Sequence, residues 1–233
     1  MTPLSAILVV APHWIGDAVM SQGLLQVLRS QWPEVVIDVL APRSSAAVFG
    51  RMAEVRHVLV APFRPGRFDL LSRIKLGRSL AGQYGAAYVL PGSWKSAVVP
   101  YAARIPRRTG YLREARWGLL NDIAVLPEAM RRRTALAFQA LGDRGVLDQA
   151  ENLLNPRLVV DRQNCRSLLS VHGLVANGYV VLCPGAEFGP AKRWPSRHWA
   201  TLAERAAERG FAAVLIGSGK DQQIAREIAT ISP

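Results

Sequence analysis

Cysteine is nearly absent, with only Cys165 and Cys183 in 233 residues. A fold stapled by several disulfides is therefore excluded, and both residues fall in ordinary helix or strand patterns. They read as reduced packing residues of a cytoplasmic protein. No apolar run is long enough to span a bilayer. The first residues lack a basic segment, an apolar core and a small-residue cleavage site, so no secretory leader is expected. Acidic residues are scarce: 17 Asp and Glu face 29 Lys and Arg, a net charge of +12. That excess implies an anionic partner, whether nucleic acid, an anionic membrane surface or a phosphorylated substrate. The bland alternative is a solvated basic surface. Aromatics are few and do not interleave with the cations as base-stacking motifs require. Zinc-finger spacing is also missing.

What is present is alternation. Half the residues are hydrophobic, enough for a sizeable core. Apolar runs at Ile7–Ala11, Val35–Ala41, His57–Ala61 and Ala86–Leu90 read as strands. Between and after them, Asp17–Ser30, Ser44–Met52, Phe68–Gln83 and Trp94–Ala103 read as helices. The inward stripe of the third is expected at Leu71, Ile74 and Leu80. This order predicts a parallel sheet covered on both faces. A less regular stretch, "RRTGYLREARWGLLND", precedes a helix over Met130–Leu141. Gly142–Pro156 reads as a linker. A second pattern follows: helix Asp161–His172, strand Tyr179–Cys183, helix Ser196–Arg209, strand Ala212–Ile216 and helix Asp221–Ala229. Two strands do not complete a doubly wound sheet, so this second domain reads as unfinished and loosely held.

Four motifs carry chemistry. In "HWIGDAVM", Gly16 is expected to permit a tight turn, and Asp17 stands at the rim of the cleft at the strands' carboxyl ends. Asp is also a preferred helix cap, so capping and proton transfer both remain open for Asp17. The second and third glycines of a dinucleotide fingerprint are missing. "PGAEFGPAKRWP" leads from a strand into a helix. Gly185, Ala186, Glu187, Lys192 and Arg193 there suit a diphosphate held by cations and a helix N-terminus. A solvated surface turn is the competing reading. In "LIGSGKDQQ", Asp221 is either a ribose-hydroxyl acceptor or a helix cap. Ser93, Lys95, Arg107 and Arg108, beyond the fourth strand, suit an anionic acceptor facing Asp17, or are solvated loops. Met52 and Trp94 read as packing residues.

The strings "GDAVMSQGLLQVLRSQWPEVVIDVLAP", "YVLPGSWKSAVVP", "IPRRTGY", "GLLND" and "CPGAEFGPAKRWP" closely resemble the lipopolysaccharide heptosyltransferase family, in its heptosyltransferase II branch. The resemblance covers essentially the whole chain. It implies an α/β fold of two Rossmann-like domains, the glycosyltransferase B type. Residues 1–155 would bind the acceptor, and residues 156–233 would be the first part of the ADP-heptose-binding domain. It also implies transfer of L-glycero-D-manno-heptose from ADP-heptose to the first heptose of a lipid A–Kdo–heptose acceptor. The anomeric centre would be inverted by direct displacement. Asp17 would be the general base. Lys192, assisted by Arg193, would hold the phosphates. Gly185, Ala186, Glu187 and Asp221 would complete the donor site, with Ser93, Lys95 and Arg108 toward the acceptor. No Asp-x-Asp pair occurs, which fits a metal-independent reaction, and no cofactor is expected. The protein would work at the cytoplasmic face of the inner membrane, without nucleic acid. The family's further segment, with its "NDSG-x-x-H"-like turn, is missing from this chain, so the second domain is expected to be incomplete. A sugar-nucleotide epimerase and a nucleic-acid-binding module are the competing functions. The first would need more cleft carboxylates and histidines. The second would show salt-sensitive binding to random DNA.

Overall fold

A computed structural model of the chain describes residues 6–63, 67–126, 128, 132–143, 153–187 and 190–232. The expected helix start at Met130 and most of the expected linker lie outside these residues. The chain divides into two compact units, residues 1–159 and 160–233.

The first unit is built on six parallel strands: β1 (Ala6–Val10), β2 (Val36–Ala41), β3 (His57–Val60), β4 (Ala86–Val89), β5 (Arg107–Tyr111) and β6 (Asp122–Ala124). Their spatial order is β3-β2-β1-β4-β5-β6. This is the doubly wound order, with a switch point between β1 and β4 where ligands usually sit. Ile7 pairs with both Ile37 and Ala86. All five residues of β1 are buried, so the strand is apolar throughout rather than alternating.

The helices of this unit are α1 (Ile15–Met20), α2 (Gln22–Gln31), α3 (Arg43–Phe49), α4 (Leu70–Ser79), α5 (Val98–Ala102) and α6 (Thr134–Gly142). Leu24, Leu28, Phe49, Phe138 and Leu141 bury one face of the sheet. Leu80, Val99, Ala103 and Ile105 bury the other. The single expected helix Asp17–Ser30 is two, because Ser21 turns its hydroxyl onto the Ala18 carbonyl at 2.7 Å between them.

The stretch read as irregular holds β5 and β6. β5 opens on two arginines at a wet outer end, and the three residues of β6 are too few to show a period of two. The phase of α4 also differs from the expected stripe. Leu71 is 82% exposed, whereas Arg73 and Gly77 are buried. The cause is close packing. A Cβ on Gly77 would lie 2.6 Å from the Ala102 Cβ and the Val99 carbonyl, so the bare glycine brings α4 onto α5 and sets which face turns inward.

The chain just past the expected linker is attached to this unit. The buried Gln22 side chain donates to the Arg157 carbonyl and accepts from the Arg157 N–H at 2.7 Å. The Val159 N–H donates to the Arg51 carbonyl, and Leu158 bridges Met52. A buried amide must satisfy both ends, and backbone at residue 157 does so here.

Asp38 on β2 is a buried carboxylate, 2% exposed. Arg56 donates to it twice, at 3.0 and 2.6 Å, and the Tyr84 hydroxyl donates at 2.8 Å. Burial alone would raise its pKa, but these donors together hold it below the usual carboxylate range. A depressed pKa stabilises the fold above the ordinary carboxylate range. That contribution is lost as pH falls through the folded value. Asp38→Asn should cost roughly 1–3 kcal/mol, toward the lower end because Arg56 is half exposed. Melting temperature followed from pH 7 into the acid range checks this. The parent should lose stability that Asp38→Asn has already lost, so the two curves converge at low pH.

The second unit pairs β7 (Tyr179–Leu182) with β8 (Ala212–Leu215) in parallel. They are flanked by α7 (Arg162–Val171), α8 (Ser196–Ala207) and α9 (Gln222–Ile231). Among the described residues, its buried hydrophobic side chains are Leu182, Ala200, Ala206 and Ile228. Val181 on β7 and Ile216 just past β8 are about half exposed, so apolar surface is left uncovered along and beyond the strands. Cys183, expected to pack, is exposed just past the end of β7.

Candidate active site

At the carboxyl ends of β1, β2 and β4 the first unit opens into two adjoining hollows that share His13 and Pro91. One, of about 360 Å³, is lined by Asp17, Arg113, Arg116, Tyr111 and Thr134. The other, of about 320 Å³, is lined by Arg73, Ser93, Lys95 and Phe63. Asp17, Ser93 and Lys95 are thus gathered at one edge of the sheet.

Asp17 is not the cap that its residue type suggests. The helix begins at Ile15, the capping position is Trp14, and Asp17 is the third residue of the first turn. Its half-buried carboxylate makes no hydrogen bond to the described residues. Burial raises its pKa above the ordinary carboxylate value. Such a group is a competent proton acceptor at neutral pH, and a better one than a free aspartate. Gly16 is not needed for the turn, contrary to expectation. It has ordinary helical backbone, and nothing lies within 4 Å of an added Cβ. Its effect is to leave the helix surface beside Asp17 bare.

The loop after β4 is held from below by Arg116, which is fully buried. Its guanidinium donates to the carbonyls of Pro91 and Tyr111 and, at 3.1 Å, to the Ser96 hydroxyl. Burial pulls its pKa down to about 10, so it remains a cation at neutral pH. Arg73, 9% exposed, donates to the Phe68 and Lys95 carbonyls. Its guanidinium carbon lies 4.0 Å from the centroid of the Phe63 ring. Sequence reading missed both arginines. One fell in a stretch read as irregular, the other on a helix outside its expected inward stripe.

Arg107 and Arg108 are elsewhere. They open β5, whose first residues pair with the start of β4, so they stand at the amino edge of the sheet. Arg108 donates to the carbonyls of Leu119 and Ile105, at 2.6 Å each. Arg107 pairs with Asp122. A parallel strand carries its first residues to the edge away from the cleft, which sets Arg108 apart from Asp17. Trp94, read as packing, is 36% exposed and meets Phe68 at 5.7 Å between ring centroids.

In the second unit the residues expected to hold a donor cluster beyond β7 and β8. Gly185 lies directly against the Asp221 carboxylate, with no room for a Cβ. Arg193 donates to the Ala186 carbonyl at 3.3 Å, and Lys220 pairs with Glu187 at 2.7 Å. Lys192 is exposed at the end of a 3₁₀ turn, Pro190–Lys192, just before α8. Asp221 accepts from both the N–H and the hydroxyl of Ser218 in a reciprocal capping box. Those two bonds lower its pKa. Of the two roles open to Asp221, this geometry is that of the cap.

The model of glycosyltransferase family 9 (heptosyltransferase) matches residues 73–233. Lipopolysaccharide heptosyltransferase 2 of Escherichia coli is 42% identical over 95% of this chain and 66% of its own length. Lipooligosaccharide heptosyltransferase 2 of Haemophilus influenzae is 40% identical over 97% of the chain and 68% of its own. The chain spans about two thirds of the length of these relatives. The solved structure of E. coli ADP-heptose LPS heptosyltransferase II superposes with a TM-score of 0.86 at 39% identity, covering 98% of this chain and 69% of that one. A family 9 glycosyltransferase from Veillonella parvula shares the fold, with a TM-score of 0.83 at 17% identity. The α/β fold is that of the B-type glycosyltransferases, as expected. The chain belongs to glycosyltransferase family 9, the heptosyltransferases.

Proposed function

We propose that the protein transfers L-glycero-D-manno-heptose from ADP-heptose to the first heptose of a lipid A–Kdo–heptose acceptor in the lipopolysaccharide inner core. The observation that carries this is the Asp17 carboxylate. It is half-buried, uncapped and set in a hollow at the switch point of the sheet. The relatives' names give heptosyl transfer, ADP-heptose and lipopolysaccharide; the acceptor heptose follows from the motif resemblance. In this reading the acceptor hydroxyl gives its proton to Asp17 as its oxygen bonds the anomeric carbon. The bond from that carbon to the diphosphate oxygen breaks on the opposite side, with inversion, and ADP leaves with the electron pair. Lys192, Arg193 and the N-terminal turn of α8 stabilise the charge that develops there. No metal is required for that charge balance. Gly185, Ala186 and Glu187 shape the donor loop, with Asp221 behind Gly185 as its support. Ser93 and Lys95, braced by Arg116 and Arg73, face the acceptor. Arg108, at the other edge of the sheet, takes no part in this site. Domain roles follow the same division, acceptor in the first unit and donor in the second. The protein works at the cytoplasmic face of the inner membrane in peripheral contact with it, and nucleic acid is not a partner.

The test is turnover of ADP-heptose with a water-soluble, deacylated heptosylated core. It is measured on the 233-residue chain and on the chain carried to its relatives' length. Release of ADP with a one-heptose mass gain in the acceptor is the expected result. Hydrolysis without transfer, or no reaction in either form, refutes the reading.

A further inference from the structure

A groove of about 1090 Å³ runs along α4 and α5. Trp94, Tyr101 and Trp117 line it together with Arg78, Arg104 and Arg108; none of the described lining residues is acidic, and Glu114 accepts from the Trp94 N–H at 2.7 Å. Trp117 is 65% exposed and Tyr101 52% exposed. The patch continues over the rim, where Phe68 meets the Trp94 ring and Leu71 points to solvent. Arg108 lies 5.5 Å from the Tyr101 ring centroid. Exposed aliphatic and aromatic side chains in one contiguous surface, ringed by cations, are uncommon on a free soluble face. Tryptophan, tyrosine and arginine together are the side chains that settle at the headgroup level of a bilayer. Their apolar bodies enter the interface and their polar ends stay wet. An anionic leaflet adds an attraction for each cation held near it.

We propose that this groove is the face by which the protein lies on an anionic phospholipid bilayer. The inference deepens the reading of a lipid-anchored acceptor. Trp94, at one end of the groove, stands between Ser93 and Lys95 in the chain, so an acceptor rising from the bilayer reaches the cleft beside Asp17 over a short path. A single-stranded nucleic acid would use the cations and rings, but would leave Leu71 and its neighbours in water.

The experiment is co-sedimentation of the 233-residue chain with vesicles of phosphatidylglycerol and phosphatidylethanolamine, against vesicles of phosphatidylcholine alone. Salt-sensitive binding to the anionic vesicles is expected. Arg78→Ser with Arg104→Ser should weaken it about thirtyfold, and Arg162→Ser with Arg166→Ser on α7 should leave it unchanged. Brominated lipid should quench tryptophan emission in the parent, and less so in Trp117→Phe. This second readout leaves the cations intact. Three outcomes overturn the proposal: no preference for anionic vesicles, equal partition of the two arginine pairs, or displacement from vesicles by an unstructured oligonucleotide bound through the same residues. Neither ADP-heptose nor acceptor is present, so failure here leaves the transfer reaction untouched. Failure of transfer to the soluble acceptor likewise leaves this face untouched.

Discussion

Asp17→Asn is expected to lower turnover by about 10²–10⁴-fold, the range over which a positioned general base contributes. The amide keeps the size of the side chain and removes the proton acceptor. Affinity for ADP should change little, because the residue lies in the first unit and the donor cations lie in the second. Stability supplies the discriminating readout. A cap replaced by a weaker one lowers the melting temperature, but Asp17 makes no capping bond. Burial raises its folded pKa, so the ionised carboxylate disfavours the folded state above the ordinary carboxylate range. The amide carries no such penalty. The melting temperature of Asp17→Asn at neutral pH should therefore equal or slightly exceed the parent's. The rate of the parent should rise with pH through a midpoint above the ordinary carboxylate value, and this limb should vanish in Asp17→Asn. Turnover within roughly threefold of the parent, or a clear fall in melting temperature, would return Asp17 to a structural role.

Lys192→Ala is expected to weaken ADP binding about ten- to a hundredfold, the scale of one charge-assisted contact to phosphate. The side chain is exposed and bonded to no described residue, so its removal leaves no buried partner behind. Arg193 differs, since its guanidinium already donates to the Ala186 carbonyl. Arg193→Ala should therefore loosen the loop as well as the ligand. Isothermal titration of ADP into parent and variant checks the Lys192 effect. The loss should shrink at high salt, where screening weakens the contact in both proteins. Equal affinity at low salt would place the diphosphate elsewhere.

Sequence by itself determined the alternation of apolar strands with amphipathic helices, and with it the parallel α/β sheet. Buried parallel strands must be apolar on both faces, and that pattern is local in the chain. The chemistry-bearing loops were legible for the same reason: strand ends, glycines and cations are neighbours in sequence around Asp17 and around Lys192. The resemblance carried by "PGAEFGPAKRWP" named the family from those same residues.

Tertiary structure alone decided the rest. The inward face of α4 depends on how closely Gly77 lets it approach α5, a distance no periodicity encodes. Arg73 and Arg116 are buried because carbonyls from Phe68, Lys95, Pro91 and Tyr111 converge on them, from segments as much as 25 residues away. Whether Asp17 caps or stays available turns on where the helix starts, and it starts two residues earlier than its sequence suggests. Arg108 and Asp17 stand at opposite edges of the sheet because a parallel strand separates its first residues from the loop at its far end. Charge and spacing along the chain do not reveal that separation; the direction of β5 does.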